Sequence, residues 1–567
     1  MADDRRRIRR RALLVGAGAA ATGVVSAGTV FLLRQTGNRA TTARPVGISP
    51  VRGAAAGDAP AQGRSGGGSP ASSGAVAPNP PAATATADPP TAAAWRALRA
   101  QLHGTLVLPS DPGYRTAREL FDPEFDRVRP QAVAYCRAAA DLQRGIAFAR
   151  AHGLPLALRS GGHSYAGYST TTGIVLDVSM MNQVTPHPAT ETATVGAGTL
   201  QVDLYAKLAS AGRFVPGASC ATVGVGGLAQ GGGIGVLERQ FGLTLDNVAS
   251  LQIVTADGEL RRCDATHDAD LFWACRGGGG GNFGAVTSFT FRTHPIAELS
   301  LCYLTWDWGA ASQVLPAWLS WAPRAPDALW SNCILTGGSA NGSPSLAISG
   351  VYVGSEKALS TLLGPFERAV GAAPGSRSVW RSAFLDAMLS EAGCHGLSVQ
   401  QCHQRGQGQG GILPRQAFAA KSDFIAAPLG ARGVAALLDG MQARGRTYGL
   451  PGGAVIMDAS GGVVNRVAAD ATAYVHRNDL CSVQYFTAWL KDASAVTVRA
   501  NRAWLADIHT AMRPYVSGYA YQNYIDPDLA DWQHAYYGAN LARLVAVKRQ
   551  YDPDNVFRFA QSIPLRI

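Results

Sequence analysis

Arg159-Ser160-Gly161-Gly162-His163-Ser164-Tyr165 and Pro216-Gly217-Ala218-Ser219-Cys220-Ala221-Thr222-Val223-Gly224-Val225-Gly226-Gly227 are the two stretches on which the fold turns. Each sets one nucleophilic side chain, His163 or Cys220, among glycines, and the two lie 57 residues apart. Glycine permits positive φ and close backbone approach to a bound group. Successive unpaired amide N–H groups in such a turn converge on an anion. Each loop can therefore cradle a diphosphate while an imidazole nitrogen or a thiolate reaches the bound molecule itself. Taken singly, a His or a Cys is more often a packed core residue. Two such loops, in this order and with further motifs downstream, point to a cofactor.

Outward from these loops, the chain from Arg129 to about Pro295 alternates helix and strand patterns. Helical spacing is read over Asp141 to His152 and Leu200 to Ala211, with Gly212 as a stop. Short apolar runs of strand type cover Leu154 to Arg159, Gly173 to Val178 and Leu251 to Thr255. A helix starting at Asp270 runs into Gly277 to Gly281, and a strand follows through Val286 to Arg292. From about 298 to 505 the pattern changes. Alternation over Ser345 to Val353 and Ala473 to Trp489 predicts antiparallel strands, and Val434 to Arg444 predicts a helix between them.

The two loops together resemble the berberine-bridge-enzyme-like branch of the vanillyl-alcohol-oxidase flavoprotein superfamily. Tyr521-Gln522-Asn523-Tyr524 is similar to that family's Tyr-x-Asn-Tyr segment. Tyr551-Asp552-Pro553-Asp554-Asn555-Val556-Phe557 and Gln561-Ser562-Ile563-Pro564 resemble its C-terminal signature. The resemblance covers about residues 96–567. It implies an α+β fold: a two-part FAD-binding domain over 95–297, a substrate domain with a helix-covered antiparallel sheet over 298–505, and a segment over 506–567 returning to the FAD domain.

The same resemblance implies FAD held by two covalent bonds, from His163 to the flavin 8α-methyl and from Cys220 to C6. Arg159, Ser160, Gly161, Gly162, Ser164, Thr222, Val223, Gly224, Gly226, Gly227, Val286 and Asn523 would complete the cofactor site. Tyr524, Tyr521, Asp458, Gln484 and Tyr165 would serve substrate oxidation, with Tyr524 and Asp458 as the preferred base pair and Tyr521 as the rival. On an extended chain, Tyr521 and Asn523 would share one face and Tyr524 would take the other, unless the chain bends. A tyrosine has an ordinary pKa near 10, so it acts as a base only if its phenolate is stabilised or its proton passes on. Valine at 223 resembles the oxygen-reactive form of its motif. The implied activity is oxidation of an alcohol or lactol, in a sugar or glycosylated natural product, with O2 reduced to H2O2. Ring closure or desaturation of a secondary metabolite is the alternative, and a non-catalytic flavin- or sugar-binding surface protein a further one.

The bulk properties fit that scheme. Residues 1–94 hold eleven Arg, no Lys and four Asp, a net of +7 within a chain total of +11. The basic balance thus sits mainly in the N-terminal region, and no basic folded face for nucleic acid is implied. Six arginines between Arg5 and Arg11 precede an uncharged run from Ala12 to Leu33, which resembles a twin-arginine export signal. Residues 12–33 are long enough to span a bilayer. Val25-Ser26-Ala27 offers a cleavage site, yet apolar residues continue beyond it, so a cleaved signal and a membrane anchor over 1–34 both fit. Gly16-Ala17-Gly18 lacks the strand-turn-helix context of a dinucleotide fingerprint. Residues 35–94 are rich in Ala, Pro, Gly, Ser and Thr and lack core-forming side chains, which predicts a disordered linker. Nine cysteines leave eight besides Cys220. An even remainder in an exported protein permits disulfides, and Cys394 with Cys402, flanking a short polar loop, is the first pair to consider. No cysteine or histidine spacing suits a metal.

Overall fold

Three short strands, Ala132–Tyr135, Ile174–Asp177 and Leu156–Arg159, run parallel and are edged by an antiparallel fourth, Thr105–Val107. The computed structural model describes residues 88–567, apart from 339–341 and 407–409. The signal or anchor and nearly all of the linker expected before Trp95 lie outside the described residues. Helix Ala92–Gln101 begins three residues ahead of Trp95, because Thr91 caps it by accepting a hydrogen bond from the Ala94 N–H at 3.1 Å.

A second, fully antiparallel sheet has the order Val184–His187, Thr192–Gly196, Ala285–Arg292, Val248–Val254 and Leu260–Cys263. Both sheets share one apolar core with helix Ala139–Ala151 and with residues from the C-terminal end, among them Tyr537, Leu544 and Ile563. The C-terminal return is anchored by a buried cation. Lys548 Nζ donates to the Asn282 carbonyl at 2.7 Å, to Asp552 at 2.6 Å and to the Phe557 carbonyl at 2.6 Å. Asn282 Oδ1 accepts from the Ile563 N–H at 2.8 Å. A buried charge is tolerable only when paired and hydrogen-bonded in this way. The Asp-Pro-Asp-Asn signature thus clamps the chain end onto the glycine-rich loop Gly277 to Gly281.

The third sheet has seven antiparallel strands in the order Ser376–Ser382, Leu299–Trp306, Ser345–Val353, Leu329–Thr336, Ala454–Ala459, Cys481–Trp489 and Ala417–Ile425. Alternate residues, such as Leu335, Ile348, Val455 and Val483, pack against helices Ala311–Trp321, Glu356–Val370, Ala431–Arg446 and Ala495–Met512. On the opposite face Leu299, Leu301 and Trp330 pack with Tyr205 and Phe214, and Gln484 reaches Tyr165. This is the expected α+β architecture. One expected strand is shorter: of Ala473 to Trp489, only Cys481–Trp489 joins the sheet. The backbone just ahead of Ala473 is held by side chains from outside this sheet. Trp273 Nε1 donates to the Asp470 carbonyl at 2.7 Å, and Asn540 Nδ2 donates to the Thr472 carbonyl at 3.2 Å.

Among the described residues no helix is long and apolar enough to cross a membrane. Cys394 and Cys402 form a disulfide. Cys136, Cys263, Cys275, Cys302, Cys333 and Cys481 are buried free thiols, and Cys220 is half-buried.

Candidate active site

Strand Leu156–Arg159 delivers the first loop to a cavity of ≈ 440 Å³. Arg159 pairs with buried Asp177 and donates from Nη2 to the Ala117 carbonyl at 2.7 Å, while its Nη1 is buried with no protein partner. Ser160 Oγ donates to the Ala197 carbonyl at 2.6 Å. Gly162, at φ +71°, makes the turn that presents His163. The His163 ring stacks on Phe121 at 4.1 Å, and its Nε2 shares a 2.9 Å hydrogen bond with Thr222 Oγ1. Burial pushes its pKa down to about 3, so the imidazole is neutral and keeps a lone pair for bonding.

The second loop is fastened by its backbone. Val225 N–H donates to Thr199 O at 2.8 Å and Gly226 N–H to Ala197 O at 2.9 Å. Gly161 and Gly224 meet backbone to backbone, which leaves no room for a Cβ on either. Burial pushes the Cys220 thiol up to about 11. A Cβ on Gly227, by contrast, would meet no protein atom within 4 Å, so the wall here is open. Orphaned Arg159 Nη1 and this glycine-lined hollow are what a dinucleotide diphosphate needs, and the residues fit FAD.

The opposite wall carries the polar side chains. Gln484, on strand Cys481–Trp489, donates from Nε2 to the Tyr165 hydroxyl at 2.9 Å. Tyr165 and Tyr524 stack with ring centroids 5.3 Å apart. The chain bends just after Tyr521: residues Gln522–Tyr524 form a 3-10 turn, and Tyr524 N–H donates to Tyr521 O at 2.9 Å. The alternation expected of an extended segment is therefore replaced by a cluster. Tyr524 meets the Tyr521 ring edge-on at 4.9 Å, and Asn523 Nδ2 donates to the Tyr521 oxygen at 3.0 Å. That oxygen also accepts from Gly233 N–H at 2.8 Å and Ile234 N–H at 3.4 Å. Burial raises Tyr521 to about 12 against the pull of these donors. Tyr524 is raised well above its ordinary value by burial, then by neighbouring Tyr165 and Asp458.

The cavity brings together Tyr524, Tyr521, Gln484, Tyr165, Asn523, Val286 and every expected residue of the two loops except Thr222, which stands behind His163. Asp458 does not line it. Strand register sets Asp458 opposite Asn332 on one side and Ser482 on the other. Its carboxyl is hydrogen-bonded to Asn332 and acts on Tyr524 through space, with no hydrogen bond between the two. Phe121 beneath His163 and Asn332 beside Asp458 were not legible as site residues. Phe121 belongs to no motif, and Asn332 is found only from the register of strands 126 residues apart.

Burial raises Asp458 to about 7, and buried Glu391 to about 8. A raised carboxyl stabilises the fold in its protonated form. That contribution is complete below the unfolded value near 4 and is lost as pH rises through about 7. Asp458→Asn is therefore expected to flatten the decline in melting temperature between about pH 5 and about pH 8, by an amount equivalent to a few kcal/mol at most. A decline as steep as the parent's in thermal scans at both pH values would contradict this.

The description "FAD binding domain" matches residues 130–264, and "Berberine and berberine like" matches residues 520–564. The chain is 32% identical over 471 residues to an uncharacterized FAD-linked oxidoreductase, YgaK, of Bacillus subtilis (strain 168), covering 82% of this chain and 98% of that one. It is 30% identical over 471 residues to berberine bridge enzyme-like 23 of Arabidopsis thaliana, covering 78% and 85%. The solved structure of Physcomitrella patens BBE-like 1 superposes with a TM-score of 0.75 at 30% identity, over 83% of this chain and 99% of that one.

Proposed function

Because the chain belongs to the berberine-bridge-enzyme-like family of FAD-linked oxidoreductases, we propose that it is an exported oxidase with bicovalently held FAD. In this reading His163 bonds the flavin 8α-methyl and Cys220 bonds C6. The substrate is an alcohol or lactol of a sugar or glycosylated natural product, and O2 is reduced to H2O2. The observation that carries the reading is the convergence of both glycine loops, Gln484 and the tyrosines on one cavity.

When bound, the flavin supplies the hydride acceptor and the route of two electrons to O2. The protein supplies position and proton transfer. The Gln484–Tyr165 hydrogen bond fixes a polar edge against which a substrate hydroxyl is oriented. Tyr524, partly exposed in the cavity, would take the hydroxyl proton as its phenolate, its own proton having first left through the cavity to solvent. The short side chain of Val223 keeps the approach of O2 open. One observation favours Tyr521 as base instead: three N–H donors aim at its oxygen and favour its phenolate.

Acid-precipitated holoprotein is expected to stay yellow, and a tryptic digest to contain one flavin joined to the peptides of both His163 and Cys220. Release of all flavin into the supernatant would refute both links. Anaerobic bleaching by members of a mono- and oligosaccharide panel, with H2O2 formed in air, tests the substrate class.

A further inference from the structure

The second loop is backed by an element from the substrate side of the molecule. Cys394 and Cys402, bridged with Cα atoms 6.0 Å apart, are fully buried in a small apolar cluster with Val202, Leu389 and Ala221. Ala221 directly follows Cys220. Val202 is the second residue of helix Gln201–Ser210, whose first N–H groups hold the loop: Gln201 N–H donates to Val223 O at 3.0 Å, and Val202 N–H to Ala221 O at 3.0 Å. The bridged segment is fastened to the same helix a second time. His403 Nε2 meets Asp203 Oδ2 at 3.0 Å, and this hydrogen bond raises the imidazole pKa. His403 Nδ1 is in turn hydrogen-bonded to the Val399 carbonyl at 2.9 Å.

Turn hydrogen bonds rather than regular elements order this segment. Among its described residues, from Ala392 to Gln416, the chain has no helix or strand, only an isolated bridge between Gln404 and Leu413. The bridge closes the eight-residue loop from Cys394 to Cys402, which turn hydrogen bonds such as Leu397 N–H to Cys394 O at 2.9 Å also order. The shape it preserves is the wall against Ala221 and Val202.

We propose that the Cys394–Cys402 bridge is a positioning device for Cys220, holding its loop at the one place from which the sulfur reaches the flavin ring. The proposal rests on reading Cys220 as a flavin-linking residue. Forming that link breaks the S–H bond and the ring C–H bond and makes one C–S bond. The two hydrogens leave with two electrons to O2, as H2O2. Because Cys220 is held as the thiol, reaction depends on how long the sulfur stays in register with the ring carbon. His163 stands on the first loop, stacked on Phe121, and meets the second loop only through its hydrogen bond with Thr222. The bridge therefore acts on the Cys220 link directly and on the His163 link only through that one contact.

The test is a Cys394→Ala/Cys402→Ala double variant, purified as holoprotein beside the parent and digested. The expected result is a severalfold fall in the ratio of flavin joined to both peptides over flavin joined to the His163 peptide alone. A merely structural bridge would lower the melting temperature and leave this ratio unchanged in whatever protein folds. A variant linked twice to the parent's extent overturns the proposal. A parent without flavin on Cys220 overturns the underlying reading, and the proposal with it. His403→Gln keeps the bridge and removes the imidazole that joins Asp203 to the Val399 carbonyl. It is expected to shift the ratio the same way by less. If the double variant yields no soluble protein, an unchanged ratio in His403→Gln overturns the proposal.

Discussion

Tyr524→Phe is expected to slow anaerobic reduction of the flavin by roughly a hundredfold to ten-thousandfold, the usual worth of a positioned proton acceptor. The substitution keeps the ring that stacks on Tyr165 and meets Tyr521 edge-on, so packing in the cavity changes little. It removes a hydroxyl with no hydrogen-bond partner among the described residues, so no buried donor or acceptor is orphaned. Substrate binding should therefore change much less than turnover, and kcat and kcat/KM should fall together. Stopped-flow bleaching under nitrogen measures this directly. Tyr521→Phe serves as the counterpart. It strips the oxygen from Gly233, Ile234 and Asn523 and leaves their N–H groups facing a ring edge. If reduction collapses in Tyr521→Phe while Tyr524→Phe stays within a fewfold of the parent, the phenolate belongs to Tyr521. If neither slows, the cluster orders the cavity and the proton goes elsewhere.

Gly161→Ala is expected to yield protein nearly free of flavin. Its Cβ would collide with the Gly224 amide nitrogen and stand 2.8 Å from the Thr222 carbonyl oxygen. Both obstacles are backbone, so neither can swing aside as a side-chain tip would. The first loop must move away from the second, and His163 loses Thr222 as it goes. The flavin-to-protein absorbance ratio after purification should fall by an order of magnitude or more, and the melting temperature of flavin-free protein should fall too. Gly227→Ala separates the two effects. Its Cβ points into open cavity, so flavin-free protein should melt as the parent does while flavin loading weakens. Full flavin occupancy in Gly161→Ala would mean that the loops part without cost. An unweakened Gly227→Ala would mean that the cofactor lies elsewhere in the hollow.

What could be read from the sequence was local chemistry. Glycine runs around His163 and Cys220 announce themselves because the constraint, backbone approach to a bound group, acts on neighbouring residues. Lys548 is another matter: its three acceptors come from Asn282, Asp552 and Phe557, and no spacing reveals that they meet. The bend after Tyr521 escaped the period-two argument because a 3-10 turn follows one extended residue. Asp458 could be named but not placed. Its distance from Tyr524 and its pairing with Asn332 depend on cross-strand register. Ala473 to Leu480 was read as part of a strand from its apolar pattern, yet only its last residue meets the sheet, Leu480 N–H donating to Ile425 O at 2.7 Å, while at its start Asn540 Nδ2 donates to the Ala473 carbonyl at 3.4 Å.

The clamp of the chain end onto Asn282 has a consequence for the order of biosynthesis. Tyr521 to Ile525 and Phe557 to Ala560 form walls of the cavity, though both glycine loops emerge from the ribosome some 300 residues earlier. A nascent chain that has not yet displayed Asp552 cannot close the pocket around a cofactor, whatever its earlier parts have folded into. Yellow colour in a purified sample therefore marks chains whose translation has passed Ala560. A chain cut short before Phe557 should be recognisable at sight, as the colourless fraction of a preparation.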